Sequence, residues 1–121
     1  MYTKEVKEHF KDPQNVGELE NPDAVGEAKY EAHGDIIKLF IKIDDNVISD
    51  IKFKTFGCAA AVATSSMFTV LAKGKTIEEA LNISKQDVAD QLGGLPENKM
   101  ECSNLASEAF QKAIEQYRSK D

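Results

Sequence analysis

Cysteine is scarce in this sequence, and long apolar runs are lacking. The 121 residues hold two cysteines and no C-x-x-C motif. No stretch approaches the roughly 18 apolar residues of a membrane-spanning helix, so we expect no membrane span. The first ten residues lack the apolar core of a secretory signal, which predicts a cytoplasmic protein with reduced thiols. The net charge of −6 disfavours nucleic acid and anionic membranes as partners.

The remaining composition describes one globular domain over residues 1–121, with 41% apolar and 30% charged residues. Alternating apolar residues joined by short turns predict an antiparallel meander of three strands, at residues 24–33, 36–43 and 47–56. Helical patterns flank it at residues 3–10, 59–72, 84–92 and 103–117, with an extended segment at 95–100. Capping boxes at Thr76 and Ser84 each open a short helix. The predicted fold class is α+β, a three-stranded meander packed against helices in two layers.

The stretch around Cys58 has the strongest chemical signal. A strand ends at Phe56, Gly57 and Cys58 follow, and a run of small residues then begins a close-packed helix. A thiol at a helix N-terminus is favoured as the thiolate, which binds metals and accepts sulfur. The second thiol, Cys102, precedes Ser103, a natural N-cap for the last helix. The alternative for either residue is a buried cysteine that acts as a small hydrophobe.

A turn at His33, Gly34 and Asp35 supplies further ligands. In a meander, the turn after the first strand and the end of the third lie at the same end of the sheet, so His33, Asp35 and Cys58 can meet there. If the last helix docks nearby, Cys102 completes a four-ligand set for zinc or iron. Glu101 is a candidate fifth ligand.

Simpler explanations exist for each of these additional residues. Aspartate beside glycine is common in turns, a histidine in a turn is more often solvated than a ligand, and Glu101 suits the first turn of a helix.

Motifs along nearly the whole chain resemble the IscU/NifU N-terminal type of iron–sulfur cluster assembly scaffold. They are Y-x-x-x-V-x-x-H-F-x-D-P-Q-N-V-G (residues 2–17), G-D (34–35), F-K-T-F-G-C-A-A-A-V-A-T-S-S (53–66), G-K-T-I-E-E-A (74–80) and K-M-E-C-S-N-L-A (99–106). The resemblance implies a scaffold or carrier, rather than an enzyme, that accepts sulfur from a pyridoxal-phosphate cysteine desulfurase. It would assemble a 2Fe–2S cluster and pass it to recipient apo-proteins.

Three residues, Asp35, Cys58 and Cys102, match the family's site. His33 stands where the family has its first cysteine, and Glu101 stands where the family has the histidine before its last cysteine. The resemblance favours Cys102 as the sulfur acceptor, with Cys58 as the neighbouring ligand. A cluster held partly by imidazole and carboxylate is expected to be labile and pH-sensitive.

These departures also leave a second function open. With two thiols instead of three, a divergent member could hold a single zinc or iron ion at His33, Asp35, Cys58 and Cys102. Such a protein would act as a sulfur acceptor or a desulfurase regulator. The family's Hsp70-chaperone recognition stretch reads Leu-Pro-Glu-Asn-Lys at residues 95–99 here, so the sequence does not predict that partner. We expect a monomer or a weak dimer that shares a cluster.

Overall fold

A computed structural model describes residues 2–31 and 34–119, so His33 lies outside the described residues. The elements are α1 (Lys4–Lys11), β1 (Ala24–Tyr30), β2 (Asp35–Asp44), β3 (Val47–Phe56), α2 (Ala59–Ala72), α3 (Ile77–Leu81), α4 (Lys85–Gln91), a 3₁₀ helix (Glu97–Asn104) and α5 (Leu105–Ser119). No helix in residues 2–31 and 34–119 has both the length and the apolar character needed to cross a membrane.

The sheet is a three-stranded antiparallel meander in the order β1-β2-β3. Tyr30 pairs with Asp35 across the first two strands, and Ile36 pairs with Phe56 across the second two. Buried residues alternate with more exposed ones along most of each strand, because successive side chains point to opposite faces of a sheet. The predicted meander is confirmed.

The helices form a second layer on the sheet, as the sequence predicts for an α+β fold. Helix α5 packs against β1 and β2, and α2 packs against β3. A side chain at Gly26 would overlap the carbonyl oxygen of Ala109 and lie 2.7 Å from the backbone nitrogen of Ala113. Glycine at this position therefore lets β1 approach α5 closely. The largest fully buried side chains include Phe53, Phe68, Phe110, Ile37 and Leu39.

Helix α2 is buried on nearly all sides, which explains its small residues. Its buried members include Ala60, Ala61, Ala63, Thr64, Ser65 and Ser66. Helix α1 packs on it. The hydroxyl of Ser66 accepts a hydrogen bond from the backbone N–H of Gln14 at 2.8 Å and lies 2.7 Å from Nδ1 of His9. The buried serine thus joins the N-terminal segment to the helix that follows Cys58.

Both predicted capping boxes are present. The Thr76 hydroxyl accepts from the Glu79 N–H, and the Ser84 hydroxyl accepts from the Asp87 N–H, with each acidic side chain bonding back to its cap.

Three predictions about local structure are wrong. Most of residues 95–100 are not extended, because a 3₁₀ helix begins at Glu97. Ser103 is not an N-cap, since its hydroxyl donates to the carbonyl of Met100 at 2.5 Å within that 3₁₀ helix. The chain is therefore already helical where α5 begins at Leu105. Asp35 is not a turn residue but the first residue of β2.

Candidate functional site

The end of the sheet that carries Asp35 also carries Cys58. Because Ile36 pairs with Phe56, the start of β2 and the end of β3 lie side by side. Asp35 is 1% exposed, whereas Cys58, two residues beyond β3, is partly exposed. The register of two neighbouring strands thus brings a buried carboxylate next to a thiol.

The side chain of Asp35, in strand β2, caps the N-terminus of helix α2. Cys58 is the N-cap residue of α2, but its own side chain makes no capping hydrogen bond. Instead, Oδ1 of Asp35 accepts a hydrogen bond from the backbone N–H of Cys58 at 3.1 Å. A carboxylate at a helix N-terminus is favoured by the exposed N–H groups and the helix dipole. This arrangement fixes Cys58 relative to Asp35.

Gly57 makes room for that carboxylate. A Cβ at Gly57 would overlap Oδ1 of Asp35, lie 2.9 Å from its Cγ and lie 3.1 Å from Cβ of Ala61. A side chain at position 57 could be accommodated only if Asp35 or the start of α2 moved. The glycine between strand and cysteine is therefore part of the site.

The side chain of Cys102, in the 3₁₀ helix, lies beside Asp35 and Cys58. Its side chain is 0% exposed. Its Sγ lies 3.9 Å from Sγ of Cys58 and 3.5 Å from Oδ2 of Asp35, and Sγ of Cys58 lies 3.9 Å from the same oxygen. The carbonyl of Cys102 is 3.2 Å from the hydroxyl of Thr64 in α2. Two thiols and a carboxylate thus meet at one point.

The surroundings of Cys102 favour its protonated form. Burial, reinforced by the neighbouring Cys58 and Asp35, raises the pKa of the Cys102 thiol to about 12. The sequence suggested a thiolate favoured by a helix N-terminus, but Cys102 lies inside the 3₁₀ helix and not at the start of α5. A bound cation would reverse this balance, because metal binding deprotonates a coordinating thiol.

The donor atoms of this group suit a thiophilic metal. Ligand atoms of Asp35, Cys58 and Cys102 all lie within 4.8 Å of one another. Thiolates are preferred by zinc and by iron in iron–sulfur clusters, and carboxylates also bind both metals.

Two further ligands, Glu101 and His33, were predicted from the sequence. In the described ranges, Glu101 does not join the group; its carboxylate pairs with Lys85 at 3.1 Å and is largely exposed. His33 is adjacent to Gly34 and lies outside the described residues.

Two contributors to the site were missed by reasoning from sequence. The roles of Gly57 beside Asp35 and of Thr64 beside the Cys102 carbonyl depend on contacts between elements that are distant in the chain. The available signals were the glycine directly before Cys58 and a polar residue within a run of small ones.

Comparison with known proteins decides the family. The model of the NifU-like N-terminal domain matches residues 1–121. The chain belongs to this family. The resemblance seen in the motifs is thereby confirmed.

Named relatives of this NifU-like N-terminal domain are similar over nearly its full length. The iron–sulfur cluster assembly scaffold protein IscU 1 of Archaeoglobus fulgidus is 55% identical over 121 residues, covering 100% of this chain and 79% of that protein. The scaffold protein IscU of Aquifex aeolicus is 45% identical, covering 98% of this chain and 77% of that protein.

The fold also matches that of a solved structure. A crystal structure of a NifU-like protein (N-terminal) from Brucella abortus matches with a TM-score of 0.78 at 21% identity, covering 98% of this chain and 95% of that chain. At this identity the match concerns the fold alone, and it agrees with the α+β class.

Proposed function

We propose that this protein is an iron–sulfur cluster assembly scaffold. Relatives at 55% and 45% identity carry that name, and the family model spans residues 1–121. The observation that carries the proposal is the convergence of Asp35, Cys58 and Cys102 within 4.8 Å. A buried carboxylate between two thiols has the chemistry of an iron–sulfur ligand set, and we infer a carrier role rather than catalysis of a reaction.

The proposed cargo is a 2Fe–2S cluster held by Cys58, Cys102 and Asp35, with His33 as the fourth ligand. Carboxylate and imidazole ligands hold a cluster less firmly than four thiolates would, which suits a cluster that must leave for a recipient apo-protein. Because thiolates and a neutral imidazole are needed, cluster binding should weaken as the pH falls.

Sulfur delivery is proposed to begin at Cys58. The family resemblance favours Cys102 as the acceptor, but Cys102 is 0% exposed whereas Cys58 is partly exposed. A cysteine desulfurase, the proposed donor, presents its sulfur as a persulfide that must touch the accepting thiol. Exposure supports Cys58 as the first contact, with Cys102 behind it.

An exposed aromatic residue supports a docking position for that desulfurase. Phe56 is 78% exposed and lies two residues before Cys58. Together with Ile36, Lys38 and Lys54 it borders an open depression of about 230 Å³ on the sheet. Aromatic residues are enriched in protein interfaces, and this exposed one lies two residues before the accepting thiol in the chain.

The proposed setting is a reducing cytoplasm, which suits two free thiols.

Anaerobic reconstitution with ferrous iron and sulfide tests the function. We expect a brown protein with sulfur-to-iron charge-transfer bands and acid-labile sulfide. Cys58→Ser and Cys102→Ser should lose most of the colour. Glu101→Gln is the control and should keep it, because Glu101 pairs with Lys85 outside the ligand group.

A specific result would overturn the scaffold proposal. If the wild-type protein stayed colourless with iron and sulfide but bound one zinc ion through both thiols, the single-metal alternative would hold instead. The names of the relatives favour the scaffold over that alternative.

A further inference from the structure

The two thiols of this protein face each other with no third thiol in the sequence. Cys58 and Cys102 are the two cysteines of the chain, and their Sγ atoms are 3.9 Å apart. Both are free thiols, one partly exposed and one buried. A pair at this distance can react with each other as well as bind a metal.

The inference rests on the proposed scaffold function. Building a cluster from delivered sulfur consumes electrons. Sulfur delivered as a persulfide is sulfane sulfur, formally at oxidation state zero, whereas a cluster contains sulfide. Each delivered sulfur must therefore gain two electrons before it enters a cluster. Oxidation of two thiols to one disulfide releases two electrons.

We propose that Cys102 is a resolving thiol that releases sulfide from a persulfide on Cys58. Sγ of Cys102 attacks Sγ of Cys58, a bond forms between the two cysteines, and the bond from Cys58 to the delivered sulfur breaks. The delivered sulfur leaves as hydrosulfide. The balance is persulfide anion plus thiol giving disulfide plus hydrosulfide, with the two thiols oxidised and the sulfane sulfur reduced.

The geometry supplies each part of this step. The Sγ atoms, 3.9 Å apart, must approach to the roughly 2.05 Å of a disulfide. Oδ2 of Asp35, 3.5 Å from the Cys102 thiol, takes the proton as Cys102 attacks as the thiolate, and then passes it to the departing sulfur. Burial keeps Cys102 from competing with Cys58 for incoming sulfur.

The disulfide between Cys58 and Cys102 must be reduced before the next cycle. The disulfide removes both sulfur ligands from the site, so a dithiol reductant must reopen it before a cluster can be bound. This reduction consumes one dithiol for each sulfide released. Attack on the outer sulfur would instead move the persulfide to Cys102 without releasing sulfide.

The test loads the full chain with sulfur under anaerobic conditions. A tagged cysteine desulfurase and one equivalent of L-cysteine transfer sulfur, the desulfurase is removed, and free sulfide and intact mass are followed without reductant. Wild-type protein should release about one sulfide per chain and end about 2 Da lighter than its reduced form. Cys102→Ser should keep about 32 Da of added sulfur on Cys58 and release none.

Several results would overturn the inference. One is wild-type protein that keeps the added sulfur as stably as Cys102→Ser does. Another is peptide mapping that finds the persulfide on Cys102 with no sulfide released. Parallel reconstitution with iron and inorganic sulfide separates the two proposals: if a cluster forms there while persulfide is not resolved, the resolving role is wrong and the scaffold function stands. If no cluster forms and no sulfur is taken up, both are wrong.

Discussion

The carboxylate of Asp35 accepts a hydrogen bond from the backbone N–H of Cys58 at 3.1 Å, so the first residue of β2 caps the helix that follows β3. The same carboxylate lies 3.5 Å from the thiol of Cys102. One buried side chain of β2 thus contacts both the N-terminus of α2 and the thiol of Cys102 in the 3₁₀ helix.

The two thiols should differ in reactivity. Cys102 is 0% exposed and its pKa is raised to about 12, chiefly by burial, whereas Cys58 is partly exposed. Because the thiolate is the reactive form, Cys58 in Cys102→Ser should react with iodoacetamide at pH 8 at least about tenfold faster than Cys102 in Cys58→Ser. Intact mass over time measures both rates, and equal rates in the folded proteins would contradict the structure. In guanidinium the two variants should react alike.

Gly57→Ala should damage the site more than the fold. The added methyl group overlaps Oδ1 of Asp35 and displaces the carboxylate from its place between the thiols. We expect cobalt(II) affinity, followed by sulfur-to-cobalt charge-transfer absorption, to fall about 10-fold or more.

Gly26→Ala is the control for this effect. There the added methyl group meets the backbone of α5, away from the thiols. It should lower the free energy of unfolding without lowering cobalt affinity. Unchanged affinity in Gly57→Ala would show that Asp35 does not depend on this glycine.

Thr64→Val should loosen the 3₁₀ helix. The Thr64 hydroxyl shares its proton between the carbonyl of Ala60 at 2.7 Å and that of Cys102 at 3.2 Å, and valine replaces it with a methyl group of similar size. We expect a loss of about 1 kcal/mol in the free energy of unfolding, together with faster alkylation of Cys102 in a Cys58→Ser background.

Thr69→Val is the matched control on the same helix. Its hydroxyl accepts from the side chain of Asn15 at 3.0 Å instead of contacting the 3₁₀ helix. It should cost a similar free energy but leave Cys102 alkylation unchanged. Equal acceleration in both variants would point to general loosening of α2.

The free energy of unfolding should decrease at acidic pH because of His9. Burial lowers the pKa of His9 below its ordinary value of 6.5, against a smaller opposing effect of Glu8. The unfolded chain then binds more protons than the folded one once the pH drops to about 6.5 and below, so the free energy of unfolding decreases as the pH falls through that value. At pH values well above 6.5, His9 is neutral in both the folded and the unfolded chain, and this loss of stability is absent. The effect is modest because the ring is partly exposed.

Urea unfolding at several pH values checks this prediction. His9→Gln should show a shallower decrease than wild type, whereas His33→Gln, which keeps His9, should retain the part of the slope due to His9. Identical slopes for wild type and His9→Gln would contradict the assignment.

The sequence and the structure agree most closely where the signal is local. Alternation defined the strands, and the capping boxes at Thr76 and Ser84 are formed as predicted. They disagree around Cys102, where an expected N-cap at Ser103 is replaced by a 3₁₀ helix that runs into α5. Short 3₁₀ segments have weak sequence signatures, since tertiary contacts such as the one from Thr64 help to hold them.

The sequence by itself determined the meander, the helix that starts after Cys58 and the family, because periodicity, caps and motifs are properties of neighbouring residues. Only the tertiary structure decided that Cys102 lies 3.9 Å from Cys58, that Asp35 is buried between them and that Gly57 clears its place. Those facts depend on strand register and on how α2 and the 3₁₀ helix pack. Such packing is set by the combined burial of many side chains that are far apart in the chain.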